Sequence, residues 1–278
     1  MSRIIKAILA LLIAAIFLAD FAFAGDARKR ISAVETEKDA STLSDIEAEI
    51  MFGRELSARI LGNYSLLDDE KINRYVNLVG KAVALHGGRP EIIYRFGVLD
   101  SDELNAFAAP GGYVFITRGA LMKMDNEAQL AAVLAHEIAH IEKKHVVKEL
   151  NIRGDEDSGA GGIVSLVEGG AGTIKAALEQ ALDDAVNILM NRGYKVKDEI
   201  EADRVGILLA SVAGYDSSAL REFLKNAKSF EQEDKTYKGE HPILEVRLEE
   251  MDKVLEAHGL QNLEKAKARE RFCENVKK

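Results

Sequence analysis

The stretch that decides the fold is Leu-Ala-Ala-Val-Leu-Ala-His-Glu-Ile-Ala-His-Ile, residues 130–141. His136 and His140 are four positions apart, so in a helix their side chains lie on one face, a turn apart. Two imidazoles at this spacing can bind one Zn²⁺, while Glu137 can reach a water molecule at the metal. A helix with two ordinary surface histidines is the alternative. The apolar neighbours argue against it, because ionisable residues in a buried helix require a partner or a metal.

A catalytic zinc site needs a third protein ligand, and the stretch Glu199-Ile200-Glu201-Ala202-Asp203 offers carboxylates. Glu199 and Asp203 share one face of a predicted helix. Glu199 can complete the metal site, and Asp203 can then accept the remaining N–H of a ligand histidine. Glu201 is the rival third ligand, on a different side of the helix. An exposed acidic helix start, favoured by the helix dipole, is the alternative without a metal.

The composition limits the classes of protein and of metal site. The chain has 278 residues, 47% hydrophobic and 30% charged, which excludes disorder throughout. A formal net charge of −9 argues against a nucleic-acid partner. The single cysteine, Cys273, excludes an intramolecular disulfide and a cysteine-rich metal site. Among the six histidines, His145 lies five residues past His140 and off the ligand face, so we expect no catalytic part for it.

Residues 1–24 have the pattern of a secretory signal peptide. A basic start is followed by an apolar run over residues 7–19 and an Ala-x-Ala ending, which predicts cleavage near Ala24. The run is shorter than the ~20 residues that span a bilayer, and Asp20 follows it, so a cleaved signal is favoured over an uncleaved anchor. No cysteine follows the run, so no lipid anchor is expected. The mature protein is therefore predicted to be periplasmic or secreted.

The rest of the chain predicts many helices and few strands. Residues 25–40 predict a loose arm, and helical patterns begin at Ser41. The strands are predicted at residues 92–99, 105–109 and 113–117, the last two joined by a Pro-Gly-Gly turn. Asp125 is the predicted N-cap of a long helix to about Leu150. Further helices are predicted over residues 174–191, 198–212, 217–230 and 242–258. We therefore expect an α+β fold, mainly helical, with a small antiparallel sheet.

Two segments differ from this pattern. Residues 151–173 contain seven glycines and predict either a flexible surface loop or a mobile lid, since loops of this length in compact domains are usually functional or disordered. Residues 259–278 are strongly charged and predict a solvated C-terminal helix.

The order of motifs resembles the gluzincin metallopeptidases of the HtpX and CAAX-prenyl-protease type. His-Glu-Ile-Ala-His is followed by Glu-x-x-x-Asp, as in that family. Residues 105–119 resemble its strand-turn-strand segment beside the active-site cleft, and His241-Pro242 with Arg247 resembles its late His-Pro…Arg element. The resemblance implies a zincin-like metallopeptidase domain over residues 41–258. It is strongest to secreted members of the BepA and LoiP type, although the lipid-anchor cysteine of the LoiP type and the tetratricopeptide-like region of the BepA type are missing.

The resemblance implies peptide-bond hydrolysis with one Zn²⁺ per chain, held by His136, His140 and Glu199. Glu137 would be the general base. His241 and Arg247 are candidates for stabilising the developing oxyanion, by resemblance alone. For His241 the alternative is a helix-start residue ahead of a proline.

The predicted strand pair would offer a sheet edge to an extended substrate, with backbone hydrogen bonds that tolerate many sequences. The residues expected along this edge are Asn105, Ala106, Phe107, Tyr113, Val114 and Phe115. Such binding suits a protease that removes misfolded or misassembled envelope proteins. The alternative function is a chaperone-like assembly factor for outer-membrane proteins that binds clients and cleaves rarely. Peripheral contact with the membrane or the outer-membrane assembly machinery is compatible with both, and the oligomeric state stays open.

Overall fold

The computed structural model describes residues 42–154, 172–233, 244–261 and 265–277. The predicted signal peptide, the loose arm, His241 and most of the glycine-rich segment lie outside these ranges. The elements in chain order are α1 (Leu43–Asn63), α2 (Glu70–Ala84), β1 (Arg95–Leu99), β2 (Ala106–Ala109), β3 (Tyr113–Thr117), α3 (Arg118–Lys123), α4 (Glu127–Glu142), α5 (His145–Glu149), α6 (Gly172–Asn187), a π-helical turn (Ile188–Arg192), α7 (Val196–Val212), α8 (Ala219–Glu233), α9 (Leu244–Ala257) and α10 (Arg269–Val276). The predicted α+β class is confirmed.

The sheet has the strand order β1-β3-β2. β2 and β3 form the predicted antiparallel pair, with Ala106 opposite Ile116. β1 runs parallel to β3, with Phe96 opposite Val114, so the sheet is mixed rather than purely antiparallel. After β1 the chain forms β2 at the far edge of the sheet. The hairpin then returns the chain, so that β3 lies between β1 and β2.

The position of β3 changes which residues can form a substrate edge. Its backbone is paired with β1 on one side and with β2 on the other. Tyr113, Val114 and Phe115 therefore do not lie at an edge of the sheet, contrary to the sequence prediction. The edge near the site is β2, which carries Ala106 and Phe107.

The turn between β2 and β3 packs closely against α1. Gly111 has φ 72°, a left-handed conformation that L residues with side chains rarely adopt. A Cβ on Gly53 of α1 would lie 1.7 Å from the carbonyl oxygen of Pro110. The turn and the helix can therefore meet only with glycine at these positions.

Helix α4 is the core of the fold, since every residue from Glu127 to Ile141 is buried. Its N-cap is Asn126 rather than the predicted Asp125, because Asn126 Oδ1 accepts a hydrogen bond from the backbone N–H of Gln129 at 3.1 Å. The helix ends at Glu142, well before the predicted Leu150. Lys144 has φ 56° and ψ 39°, and this left-handed residue separates α4 from α5.

Helix α7 lies directly against α4. A Cβ on Gly206 would lie 2.9 Å from the backbone nitrogen of His136, so only glycine permits this approach. The first two turns of α7, which carry Glu199 and Asp203, therefore face the histidines of α4.

The C-terminal helix is shorter and more buried than the sequence predicts. Helix α10 begins only at Arg269, and the side chain of Phe272 is fully buried. Arg271 donates from Nε and Nη2 to the buried carboxylate of Glu127, which also accepts hydrogen bonds from the hydroxyls of Tyr75 and Tyr215. This cluster fixes α10 to the start of α4. Among the helices of the described ranges, none combines the length and the apolar character that a membrane span requires.

Candidate active site

The buried side chains of His136, His140 and Glu199 converge at the contact between α4 and α7. The Nε2 atoms of the two histidines are 3.1 Å apart. Glu199 Oε2 lies 3.6 Å from His136 Nε2, and Glu199 Oε1 lies 3.8 Å from His140 Nε2. Within the described ranges, this is the one cluster of three or more potential metal ligands whose donor atoms lie within 4.8 Å of one another.

These three groups fit a metal ion. A tetrahedral zinc ion at about 2.0–2.1 Å from each ligand atom holds two of them about 3.3 Å apart. The two imidazole nitrogens match that separation. Two nitrogens that face each other beside a buried carboxylate need a shared cation, whether a proton or a metal. Two imidazoles and one carboxylate are also a donor set that zinc accepts.

The Nδ1 atom of His136 contacts the carboxylate of Asp203, and the buried guanidinium of Arg247 holds that carboxylate. His136 Nδ1 lies 2.9 Å from Asp203 Oδ1. Arg247 donates to both oxygens of Asp203, from Nε at 2.7 Å and from Nη2 at 2.6 Å. Its Nη1 lies 2.8 Å from Glu199 Oε2, and only 1% of the Arg247 residue is exposed. The guanidinium therefore orients both carboxylates. Its predicted role towards an oxyanion stays a prediction, as does that of His241.

Burial and neighbouring charges shift the pKa values of His136 and His140 in opposite directions. Burial opposes the charged form of His136, but the Asp203 and Glu199 carboxylates outweigh it and raise the His136 pKa to about 10. Burial lowers the pKa of His140 well below its usual range, and the neighbouring His136 reinforces this. In the metal-free protein His136 thus carries a proton and His140 is neutral. Metal binding must displace that proton, because a ligand imidazole offers its lone pair.

Glu137 lies beside the cluster and is also buried. Burial raises its pKa to about 7, and the charge of Glu199 acts in the same direction, while His136 opposes them. A carboxyl with a pKa near neutrality can both accept and return a proton at physiological pH.

The surroundings of His140 include residues that the sequence did not indicate. His145 Nδ1 lies 2.8 Å from His140 Nδ1, and the ring of Tyr194 stacks on His140 at 3.9 Å between centroids. His145 was expected to lie off the ligand face, as it would in a continuous helix. The left-handed Lys144 breaks the helix and returns His145 to His140. No periodic signal in the sequence predicts such a break at a lysine.

Glu201, the rival third ligand, lies elsewhere in the site. Its Oε2 lies 3.3 Å from His145 Nε2 and its Oε1 lies 3.3 Å from Lys143 Nζ. It belongs to neither the ligand cluster nor the contact with Arg247.

Two cavities meet at Glu137 and at the edge strand. One contains the ligand cluster and is lined by residues of the π-helical turn and by Tyr194. The other is mainly apolar. Asn105, Ala106, His136 and Glu137 line both. The apolar lining of the second cavity is Leu104, Ala120, Val133, Leu220, Phe223, Leu224 and Ala227.

Comparison with known proteins identifies a family and several relatives to which this chain is similar. The model of a family described as peptidase family M48 matches residues 70–255. The beta-barrel assembly-enhancing protease of Escherichia coli (strain K12) is 30% identical over 189 residues, which are 66% of this chain and 38% of the relative. The mitochondrial metalloendopeptidase OMA1 of Schizosaccharomyces pombe is 29% identical over 198 residues, 70% of this chain and 53% of the relative. The chain thus spans between about two fifths and half of these relatives.

Proposed function

The chain belongs to peptidase family M48, and we propose that it is a metalloendopeptidase that uses zinc to hydrolyse peptide bonds in misfolded or misassembled envelope proteins. The observation that carries this proposal is the buried convergence of His136, His140 and Glu199 beside the carboxyl of Glu137. A structural metal site has no need of a buried carboxyl at that place.

In this proposal the chemistry is divided between the metal and the chain. His136, His140 and Glu199 would hold the zinc ion, which would supply Lewis acidity towards the scissile carbonyl and the attacking water. Glu137 accepts a proton from the attacking water at a carboxylate oxygen and returns it to the amine nitrogen of the leaving peptide. Asp203 and Arg247 keep the ligand carboxylate and the imidazole of His136 in place.

The edge strand and the apolar cavity support unfolded polypeptides as the substrate class. A peptide added along β2 passes Asn105 and Ala106, which line both cavities together with Glu137. Its scissile bond then lies at Glu137, and the side chain next to that bond can enter the apolar cavity. Large apolar side chains are buried in folded proteins and accessible in unfolded ones, so such a site favours unfolded chains.

The envelope location is supported by the signal-peptide pattern of residues 1–24 and by relatives named for beta-barrel assembly. Other relatives are named mitochondrial, so the family alone does not determine the compartment. We propose a periplasmic or secreted protein whose partners are unfolded or misassembled polypeptides, with peripheral contact to the membrane or the outer-membrane assembly machinery.

A chaperone-like assembly factor is the second candidate function. The observation that favours it is the burial of the catalytic group, since only 5% of Glu137 and 3% of His140 are exposed. Clients bound along β2 would then reach the site rarely. In this case binding, rather than cleavage, would be the main activity.

Zinc analysis and casein digestion test the two functions together. The purified protein should contain one zinc per chain and cleave unfolded casein. Glu137→Gln should keep the zinc and lose cleavage, because it keeps the ligands and removes the base. Glu250→Gln, which removes a carboxylate of α9 paired with Lys253, is the matched control and should cleave like the wild type.

Casein cleavage that survives in Glu137→Gln would contradict the proposed hydrolysis. Equal suppression of client aggregation by the wild type and Glu137→Gln, with no cleavage by either, would favour the chaperone function.

A further inference from the structure

We propose that His145 and Glu201 are positioning residues that hold His140 in its metal-binding orientation, an inference that rests on the proposed zinc function. The observation is a continuous chain of side-chain contacts. His140 Nδ1 lies 2.8 Å from His145 Nδ1, and His145 Nε2 lies 3.3 Å from Glu201 Oε2. Glu201 Oε1 in turn lies 3.3 Å from Lys143 Nζ. The chain leads from a ligand candidate to the protein surface.

The donors and acceptors along this chain agree with a ligand role for His140. If its Nε2 faces the metal, the ring proton is on Nδ1, because a neutral imidazole carries one N–H. That N–H donates to His145 Nδ1, so His145 carries its own proton on Nε2. The Nε2–H then donates to the carboxylate of Glu201. Each step pairs one donor with one acceptor, so a single arrangement of protons satisfies all three side chains.

The backbone is shaped to make this contact. In a continuous helix a residue five positions after His140 would be rotated by about 140° from it. Helix α4 instead ends at Glu142, and Lys144 adopts φ 56° and ψ 39° before α5 begins at His145. A left-handed conformation at a residue with a long side chain persists only where its surroundings hold it. Here it returns His145 to the outer nitrogen of His140.

The two histidine ligands are thus held in different ways. His136 is backed by Asp203, which is 2% exposed and is fixed by Arg247. His140 is backed by a second histidine, whose carboxylate partner Glu201 has a side chain that is 37% exposed. The ring of Tyr194 lies parallel to that of His140 within 17° and fixes its plane. The hydrogen bond from Nδ1 then fixes the direction in which Nε2 points.

Metal affinity is the direct measure of this role, because partners of a ligand histidine typically contribute 10–100-fold to it. We would measure Zn²⁺ affinity of the full chain by competition with a chelator, and the visible spectrum of the Co²⁺-loaded protein. His145→Ala should lower the affinity about 10–100-fold and change the Co²⁺ spectrum. His145→Asn should recover part of the affinity, because its amide oxygen can accept from His140 where Nδ1 did.

Variants of Glu201 keep the test independent of whether His145→Ala folds. Glu201→Gln should weaken Zn²⁺ binding less than His145→Ala, because the amide oxygen can still accept from His145 Nε2. Glu250→Gln removes a carboxylate of equal exposure that also pairs with a lysine, and should bind Zn²⁺ like the wild type.

Two results would overturn the inference while leaving the proposed function intact. One is a His145→Ala protein that binds Zn²⁺ within twofold of the wild type with an unchanged Co²⁺ spectrum. The other is an equal loss in His145→Asn and His145→Ala, which would contradict the hydrogen-bonding role. A wild-type protein that binds neither ion would overturn the zinc proposal itself, and the inference with it.

Discussion

Replacing Arg247 by methionine should destabilise the protein strongly. Three guanidinium nitrogens contact Asp203 and Glu199 at 2.6–2.8 Å, and both acids are at most 2% exposed. Removing one partner of such a buried ion pair costs about 3–5 kcal/mol. In the metal-free protein His136 still neutralises one of the two carboxylates, which leaves about one buried charge without compensation. For a domain of this size the cost corresponds to a fall in Tm of about 6–20 °C.

The loss in Arg247→Met should also depend on pH. Burial raises the pKa of Asp203, but Arg247 outweighs it and holds this pKa below its usual range. A carboxyl with a lowered native pKa stabilises the fold above the unfolded pKa and loses that contribution as the pH falls. The difference between the wild type and Arg247→Met should therefore be largest at neutral pH and shrink in acid.

Thermal and urea unfolding of the metal-free proteins measure this effect. Asp203→Asn combined with Arg247→Met should lose less than the sum of the two single losses, because both remove the same interaction. Arg118→Met is the control, since Arg118 forms ion pairs with Asp100 and Asp102 at the surface and should leave Tm almost unchanged. A fall in Tm below about 2 °C in Arg247→Met, or a strictly additive double mutant, would refute the reasoning.

Two further predictions concern the apolar cavity and Glu137, the proposed general base. Ala227→Phe should fill the apolar cavity. It should lower kcat/KM for peptides with leucine beside the scissile bond about 10–100-fold relative to peptides with glycine at that position, as measured with competing fluorogenic peptides. Ala82→Phe, at an exposed position of α2, should leave the preference for leucine over glycine unchanged. Burial raises the Glu137 pKa from 4.5 to about 7 in the metal-free protein, which lowers stability by about 3 kcal/mol above pH 7. Metal-free Glu137→Gln should thus resist urea better than the wild type at pH 8 but not near pH 4.5, and equal resistance at pH 8 would contradict the assignment.

The elements that local patterns specify could be predicted from the sequence. The spacing of His136 and His140 gives their shared face on any helix, and the same spacing relates Glu199 to Asp203. The hairpin around Pro110 is also local, because its turn residues allow few backbone conformations. These predictions needed no knowledge of how distant segments pack.

The features that could not be predicted from the sequence depend on contacts between distant segments or on a strained backbone conformation. The place of β3 between β1 and β2 depends on its pairing with β1, which lies outside the hairpin, and the side-chain pattern of a strand does not encode its neighbours. The contact of His145 with His140 needs a left-handed lysine, which is unfavourable by itself. Family resemblance indicated Arg247, but its pairing with Asp203 spans 44 residues and appears only in three dimensions.

The carboxylate of Glu127 has a consequence for the timing of folding. Its partner Arg271 follows it by 144 residues, and a contact of that separation forms late because a long loop must close first. During synthesis, the first turn of the helix that bears both histidines cannot reach its native environment until the chain as far as Arg271 has emerged. A chain that has not yet been synthesised as far as Arg271 therefore lacks the guanidinium partner of the buried Glu127 carboxylate.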